Sequence, residues 1–344
     1  MAELAVETVR LPLRTPLRTA WGTLAERELV RVRLRFGPGD AGDGEAAPLE
    51  PYDGVPLASV LAALDAYAAV LAAAGPDDDA SELLEACRAE RPLPQALAAI
   101  DLALWDRAGR RAGRPVAALL GGDAAVPVAV NALIGAEDRA GAAGAAAAAA
   151  AAGYRCLKVK VGIGDDAGRL AAVRAAVGPD VAIRADANGA WGSPREALAN
   201  LRALAPIGLE LCEEPVHGLD ALRELRAESP VPVAIDESAA EPGAAGAGAA
   251  DAVCLKIARC GGIGGVLRDA RDARAAGAAV YLASTFDGPL GIAAGLHAAA
   301  ALRATGELLP CGLAAGAGEP PAVAGGTLAV PPGPGLLGNA ILER

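Results

Sequence analysis

Five apolar runs in this chain each end in an ionisable side chain, and the charges come in the order Lys, Asp, Glu, Asp, Lys. Cys156-Leu157-Lys158-Val159-Lys160 closes with two lysines, and Ile183-Arg184-Ala185-Asp186-Ala187-Asn188 with an aspartate. Leu211-Cys212-Glu213-Glu214 and Ala234-Ile235-Asp236-Glu237 close with carboxylates, and Cys254-Leu255-Lys256 with a lysine. One carboxylate at a strand end often does no more than cap the following helix. Three sets of them around one mouth would repel one another or become protonated unless a cation joins them. An all-oxygen ligand set favours a hard ion, Mg²⁺ or Mn²⁺, over zinc. Such an ion neutralises a developing enolate, so a chelated carboxylate yields its α-proton more readily, and a lysine whose pKa is lowered can take that proton. Lys158 and Lys160 share one side of their strand, so each is expected to lower the other's pKa. Lys160, nearest the strand end, then carries the proton, while Lys158 tunes and orients.

Residues this far apart meet only if the strands that carry them are parallel and adjacent. After Gly121, apolar strand-like runs alternate with Ala/Leu/Arg-rich helices at Val126–Leu133, Cys156–Val161, Val181–Ala185, Gly208–Cys212, Val231–Ile235, Ala252–Lys256, Ala278–Ala283 and Glu307–Cys311. Eight such units suit a closed, TIM-like barrel better than a doubly wound open sheet, and in a barrel these strand ends share the rim on which sites are built. No GxGxxG or GxxxxGK[ST] follows any of the strands, so the phosphate-cradling devices of nucleotide folds are missing. Ahead of the barrel, the alternations Val9-Arg10-Leu11 and Leu29 to Arg35 read as antiparallel strands, with Thr15–Gly22 as the loop between them. Helical patterns at Leu57–Ala74, Asp79–Arg88 and Pro94–Ala112 complete an α+β module. The expected division is an α+β capping domain at 1–120, the barrel at 121–315, and a Gly/Pro-rich tail at 316–344 that returns to the capping domain.

Composition narrows the partners. The 344 residues are 53% hydrophobic and carry a net charge of −11, which gives room for a large core and offers no basic face to nucleic acid or anionic lipid. The N-terminal residues lack the pattern of a secretory signal, and no apolar run has the character of a membrane span. The six cysteines are scattered without CxxC pairing and read as reduced core residues of a cytoplasmic protein. The expected partner is a small-molecule carboxylate, and a homo-oligomeric assembly is compatible with this composition.

The ordered charges, the Lys158-Val159-Lys160 triplet, the Asp186-Ala187-Asn188 and Asp236-Glu237 patterns, and the spacing of one βα unit between carboxylates resemble the enolase superfamily. The resemblance implies a (β/α)7β barrel closed over by an α+β capping domain built from both chain ends. It also implies Asp186, Glu213 and Asp236 as Mg²⁺ ligands, Lys160 and Lys256 as an acid/base pair completed by Lys158, and Asn188 and Glu237 as their support. Two lysines resemble the muconate lactonizing enzyme subgroup, because the mandelate racemase subgroup places a His at the end of the seventh strand, where this chain reads Tyr281-Leu282-Ala283-Ser284-Thr285. His217 and His297 sit elsewhere and read as structural or surface residues.

Within the subgroup, the Cys311-Gly312-Leu313 run and Gly44 to Leu49 resemble o-succinylbenzoate synthases, which implies a lyase that eliminates water to form o-succinylbenzoate in menaquinone synthesis. The alternative is a racemase or epimerase of dipeptides or N-acylamino acids, or a muconate-type cycloisomerase, on the same lysine pair. Dipeptide epimerases of this subgroup typically carry a D-x-D motif after the eighth strand, and residues 309–316 contain no carboxylate. Thr19 and Trp21 in the Thr15–Gly22 segment, together with Ser284 and Gly312, are the expected substrate-binding residues.

Overall fold

The computed structural model describes residues 2–19, 22–135, 138–318 and 321–338. Its N-terminal layer opens with a long hairpin, β1 (Glu3–Thr19) and β2 (Gly22–Gly37), followed by β3 (Asp40–Ala46), in a three-stranded antiparallel sheet of order β1-β2-β3. The hairpin register runs from Glu3 opposite Arg35 to Thr19 opposite Gly22, with one irregularity between Pro12 and Leu17. The described part of Thr15–Gly22 is therefore strand rather than the expected loop. Leu11, Leu13, Leu17 and Leu24 extend the apolar pattern through it, and β1 is an edge strand, where Pro12 and Pro16 break few ladder bonds.

Helices Leu57–Leu71, Ala80–Glu90 and Pro94–Ala112 pack beneath the sheet. The last starts on a proline, which is preorganised for the first turn, and ends on Gly113 in the left-handed region at φ 62°. Two glycines let it lie directly on β3. A Cβ at Gly42 would sit 2.0 Å from the Ala103 carbonyl oxygen, and one at Gly44 1.9 Å from that of Ala99.

The second layer is a parallel sheet of order β11-β10-β9-β8-β7-β6-β5. Its strands are β5 (Ala132–Ile134), β6 (Cys156–Lys160), β7 (Ala182–Asp186), β8 (Leu211–Glu213), β9 (Val233–Ile235), β10 (Ala252–Leu255) and β11 (Ala279–Leu282). Residues 309–312 close the barrel by bonding to both edges. On one side the Gly312 amide donates to Leu282 (2.7 Å) and the Leu309 amide to Val280 (3.0 Å); on the other the Cys311 amide donates to Ala129 (2.8 Å) and Asn131 donates back to Cys311 (3.0 Å). The expected first strand is split, because β4 (Val128–Ala129) turns to pair antiparallel with β12 (Thr327–Leu328) and Val130 donates to Gly326.

The C-terminal tail touches both layers. Gly318 donates to Pro12 of β1 (2.9 Å), and Gly335 exchanges bonds with Arg114 and Val116. Buried carboxylates of the N-terminal layer also fasten the barrel. Glu45 accepts from Gly288 at the start of helix Pro289–Thr305 (2.7 Å), Asp101 from Ile263 at the start of helix Ile263–Ala275 (2.6 Å), and Asp106 from Leu336 (2.8 Å). No described helix is long and apolar enough to cross a membrane.

Candidate active site

Side chains alternate along a strand, so one face of each parallel strand fills the barrel interior. The interior set includes Lys158 and Lys160 of β6, Asp186 of β7, Glu213 of β8, Cys254 of β10 and Tyr281 of β11. Lys160 is in register with Asp186, and Asp186 with Glu213, so charges distant in sequence arrive at one level. Asp236 and Lys256 follow directly after β9 and β10.

The contacts form two groups. Lys158 Nζ bridges Asp186 Oδ2 (3.0 Å) and Glu213 Oε1 (2.6 Å), and Lys160 Nζ reaches the same Asp186 oxygen at 2.6 Å while donating to Asn188 Oδ1. On the opposite flank, Lys256 Nζ donates to both oxygens of Asp236 and to the Tyr52 hydroxyl at 2.5 Å. Arg259 Nη1 adds a 3.0 Å contact to Asp236. Between the two flanks, oxygens of Glu213 and Asp236 and the Cys254 sulfur all lie within 4.8 Å of one another. Asp186 joins the cluster through the Lys158 ammonium that it shares with Glu213.

Burial works against every charge here, and the neighbours decide which side prevails. Burial alone would lower the Lys158 pKa, but Asp186 and Glu213 outweigh it and hold that ammonium well above its ordinary value. The expected mutual lowering of the two lysines is thus overridden at Lys158 by the two carboxylates it contacts. Burial opposes the Asp236 charge too, yet Lys256 and Arg259 hold its carboxyl well below the usual range. Glu213 goes the other way: burial pushes it up to about 7 despite Lys158, with Asp186 and Asp236 adding to the rise. Burial, and then Asp236, also raises Glu237, whose Oε2 is buried with no hydrogen-bond partner among the described residues. A carboxylate cluster incompletely neutralised by lysine, with one oxygen left unpaired, is a donor set that fits a hard divalent cation. Cys254 does not alter that, because burial and Asp236 push its thiol well above its ordinary value and keep it neutral.

Asn188 donates to Glu237 Oε1 at 2.8 Å while receiving Lys160, so the two expected supports join the β6 and β9 sides of the mouth. The left-handed backbone of Asn188 (φ 44°) and Glu214 (φ 41°) turns the chain sharply where β7 and β8 end. Glu214 is fully buried and accepts from the Asp236 amide (2.8 Å), the Ser238 amide (3.1 Å) and the Ser238 hydroxyl, which fixes the loop that carries Asp236 and Glu237. His217, itself exposed, lies 3.1 Å from Glu214.

The expected substrate contacts are less well gathered. Ser284 donates its hydroxyl to the Ala315 carbonyl (2.9 Å), and the Gly312 amide is consumed in closing the barrel, so neither N–H nor O–H is left to bind a carboxylate as envisaged. Thr19 ends β1 with its side chain undescribed, and Trp21 lies outside the described residues. Arg259, three residues past Lys256 and half-buried, turns its guanidinium onto Asp236 and the Cys254 carbonyl. Tyr52 and Tyr281 had no sequence signal at all, because neither stands near a charged strand end in the chain.

The chain's ends and middle match two family models, "Mandelate racemase / muconate lactonizing enzyme, N-terminal domain" over residues 1–121 and "Enolase C-terminal domain-like" over residues 141–341. It is 30% identical over 301 residues to the N-succinyl-L-Arg/Lys racemase of Bacillus cereus, covering 85% of this chain and 81% of the racemase. It is 31% identical over 363 residues to muconate cycloisomerase 1 of Rhodococcus opacus, covering 97% and 94%. The crystal structure of a dipeptide epimerase from Enterococcus faecalis V583, complexed with Mg and the dipeptide L-Leu-L-Tyr, superposes with a TM-score of 0.87 at 28% identity, covering 97% of this chain and 98% of that one. With its capping and barrel domains both matched over most of their length, the chain belongs to the enolase superfamily, in the muconate lactonizing enzyme subgroup.

Proposed function

We propose that this enzyme carries out Mg²⁺-dependent racemisation or epimerisation at the α-carbon of an N-acylated amino acid carboxylate, with Lys160 and Lys256 as the two proton-transfer groups. The observation that carries this reading is their placement: one lysine on each flank of a buried carboxylate cluster, on strands separated by β7, β8 and β9. The similarity to an N-succinyl amino acid racemase and a dipeptide epimerase supports 1,1-proton transfer. Residues 309–316 offer no carboxylate to a free ammonium group, which supports an acylated nitrogen.

Asp186, Glu213 and Asp236 would hold the ion, which supplies positive charge where the deprotonated substrate carboxylate gathers negative charge. Lys160, with 31% of its side chain exposed against 5% for Lys256, stands on the open side and takes the α-proton of one enantiomer. Lys256, held by Tyr52 and Asp236, returns a proton from the opposite face, and the roles exchange for the other enantiomer. Lys158 stays charged between Asp186 and Glu213 and orients the substrate carboxylate. Asn188 and Glu237 keep Lys160 in place. The partner is a small anion, in keeping with a chain of net charge −11 that lacks a polyanion-binding face.

The lyase alternative rests on the Cys311-Gly312-Leu313 run, whose Gly312 amide is engaged in barrel closure, and on Gly44 to Leu49, where Gly44 packs on the backbone at Ala99 and Glu45 accepts from the Gly288 amide. The test is proton NMR in D₂O with Mg²⁺ and both enantiomers of a set of N-succinyl amino acids. The wild type should wash deuterium into the α-position of both enantiomers. Lys160→Ala and Lys256→Ala should each abolish exchange from one enantiomer while retaining it from the other. Absence of exchange with every acylated amino acid, alongside turnover of the cyclohexadiene carboxylate precursor to o-succinylbenzoate, would overturn the proposal in favour of the lyase.

A further inference from the structure

Tyr281 stands on β11, three strands beyond β8, and reaches across the barrel interior to donate its hydroxyl to Glu213 Oε2 at 2.8 Å. The other oxygen of the same carboxylate, Oε1, receives Lys158 at 2.6 Å. Glu213 is thus clamped from two opposite walls, and of the three expected metal ligands it is the one that receives a neutral side-chain donor. Asp186 and Asp236 are held by charged partners that lie on neighbouring strands.

The tyrosine is itself held from below. The Arg184 guanidinium lies 4.7 Å from the Tyr281 ring centroid and is fully buried. It is anchored by Glu210 Oε2 at 2.5 Å and by the carbonyl of Pro310, in the segment that closes the barrel, at 2.7 Å. Tyr281 shares its layer with Leu211, Ala234, Ala252 and Cys254, small or aliphatic neighbours that leave the ring little freedom to swing. The resulting column, Glu210–Arg184–Tyr281–Glu213, ties the packed floor of the barrel to the candidate ligand at its mouth.

We propose that Tyr281 is a positioning residue for the metal centre, fixing the Glu213 carboxylate so that it is presented to Mg²⁺ in one orientation, with Arg184 holding the tyrosine ring in place. The inference rests on the reading of Glu213 as a metal ligand. Its physical basis is that Mg²⁺ demands near-ideal octahedral geometry, so a ligand free to rotate binds it less well, and that hydrogen-bond partners of ligands set their orientation. A neutral hydroxyl does this without drawing away the ligand's charge as an ammonium would.

Tyr281→Phe keeps the ring, its stacking on Arg184 and its packing, and removes only the donor. Titration calorimetry of Mg²⁺ into the substrate-free protein should show affinity lowered about tenfold, the scale typical of losing such a partner. The Mg²⁺ concentration giving half-maximal α-proton exchange should rise by the same factor, with kcat at saturating Mg²⁺ within about threefold of wild type. The melting temperature of the metal-free variant should stay close to that of the wild type. Mg²⁺ affinity within twofold of wild type would overturn the inference while leaving the metal reading intact. A wild-type protein that does not bind Mg²⁺ would sink both.

Discussion

Lys256 is held by groups from two modules. Asp236 belongs to the barrel, but the Tyr52 hydroxyl at 2.5 Å and its ring, with centroid 4.6 Å from Nζ, come from the short helix Glu50–Asp53 of the N-terminal layer. A cation under an aromatic ring and within hydrogen-bond reach of its hydroxyl is fixed in direction as well as in charge. Tyr52→Phe keeps the ring and loses the donor. It should therefore slow α-proton exchange from the enantiomer that Lys256 serves by about tenfold, the loss of roughly one charge-assisted hydrogen bond, and leave the Lys160-dependent enantiomer nearly unchanged. Single-enantiomer deuterium exchange measures this directly, and equal slowing of both would show that Tyr52 acts on something shared.

Helix Pro289–Thr305 shows how one buried side chain can join three elements. His297 accepts from the Ala117 amide at Nδ1 (3.0 Å) and contacts the Leu336 carbonyl through Nε2 (2.9 Å), so Nε2 carries the proton and the neutral ring is fully used. Burial lowers its pKa to about 4, against an unfolded value near 6.5. The unfolded chain then binds more protons between those values, so this residue's contribution to stability is complete above about pH 6.5 and is lost as pH falls toward 4, by about 3 kcal/mol. Glu45 and Asp101 act in the opposite sense. Burial raises each to about 7, so the folded state binds the extra proton and stability falls as pH climbs through that range. Glu45 and Asp101 titrate alike in wild type and His297→Gln, so the difference in urea unfolding free energy between the two should move by about 2 kcal/mol in the variant's favour from pH 7 to pH 5. A difference that stays the same at both pH values would mean that the histidine carries no acid-linked loss.

At the scale of the molecule, Asp186, Glu213, Asp236 and Glu237 crowd one mouth, where burial and neighbouring acids raise Glu213 and Glu237, and a bound cation would oppose that rise. Mg²⁺ that binds the folded chain and not the unfolded one stabilises it by mass action, about 2.7 kcal/mol at a hundred times its Kd. Thermal scans should show the midpoint rising with Mg²⁺ and falling back on adding EDTA, and Glu213→Gln should blunt the response. A midpoint indifferent to Mg²⁺ in the wild type would contradict the metal assignment. The same arrangement accounts for how the layers are joined: Glu45, Asp101 and Asp106 reach out of the N-terminal layer to cap barrel and tail amides, which places Tyr52 beside Lys256 rather than on a free-swinging lid.

Read alone, the sequence determined the parallel barrel, the layer that precedes it, and the lysine-carboxylate-lysine order around its rim. Those features are local: apolar runs of strand length end in charge, and helices of fixed spacing separate them, so strand direction and side-chain alternation carry each charge to the same end. The resemblance to the enolase superfamily also implied Asn188 and Glu237, through the Asp186-Ala187-Asn188 and Asp236-Glu237 patterns. The tertiary structure alone decided the rest. Tyr281 meets Glu213 across the width of the barrel and Tyr52 meets Lys256 across a layer boundary, at separations of 68 and 204 residues that no local pattern encodes. The Gly312 amide expected to bind substrate is spent on closing the last strand, because a barrel's backbone must satisfy its own hydrogen bonds before any group is free for a ligand, and the Ser284 hydroxyl is taken by the Ala315 carbonyl of the loop beyond it.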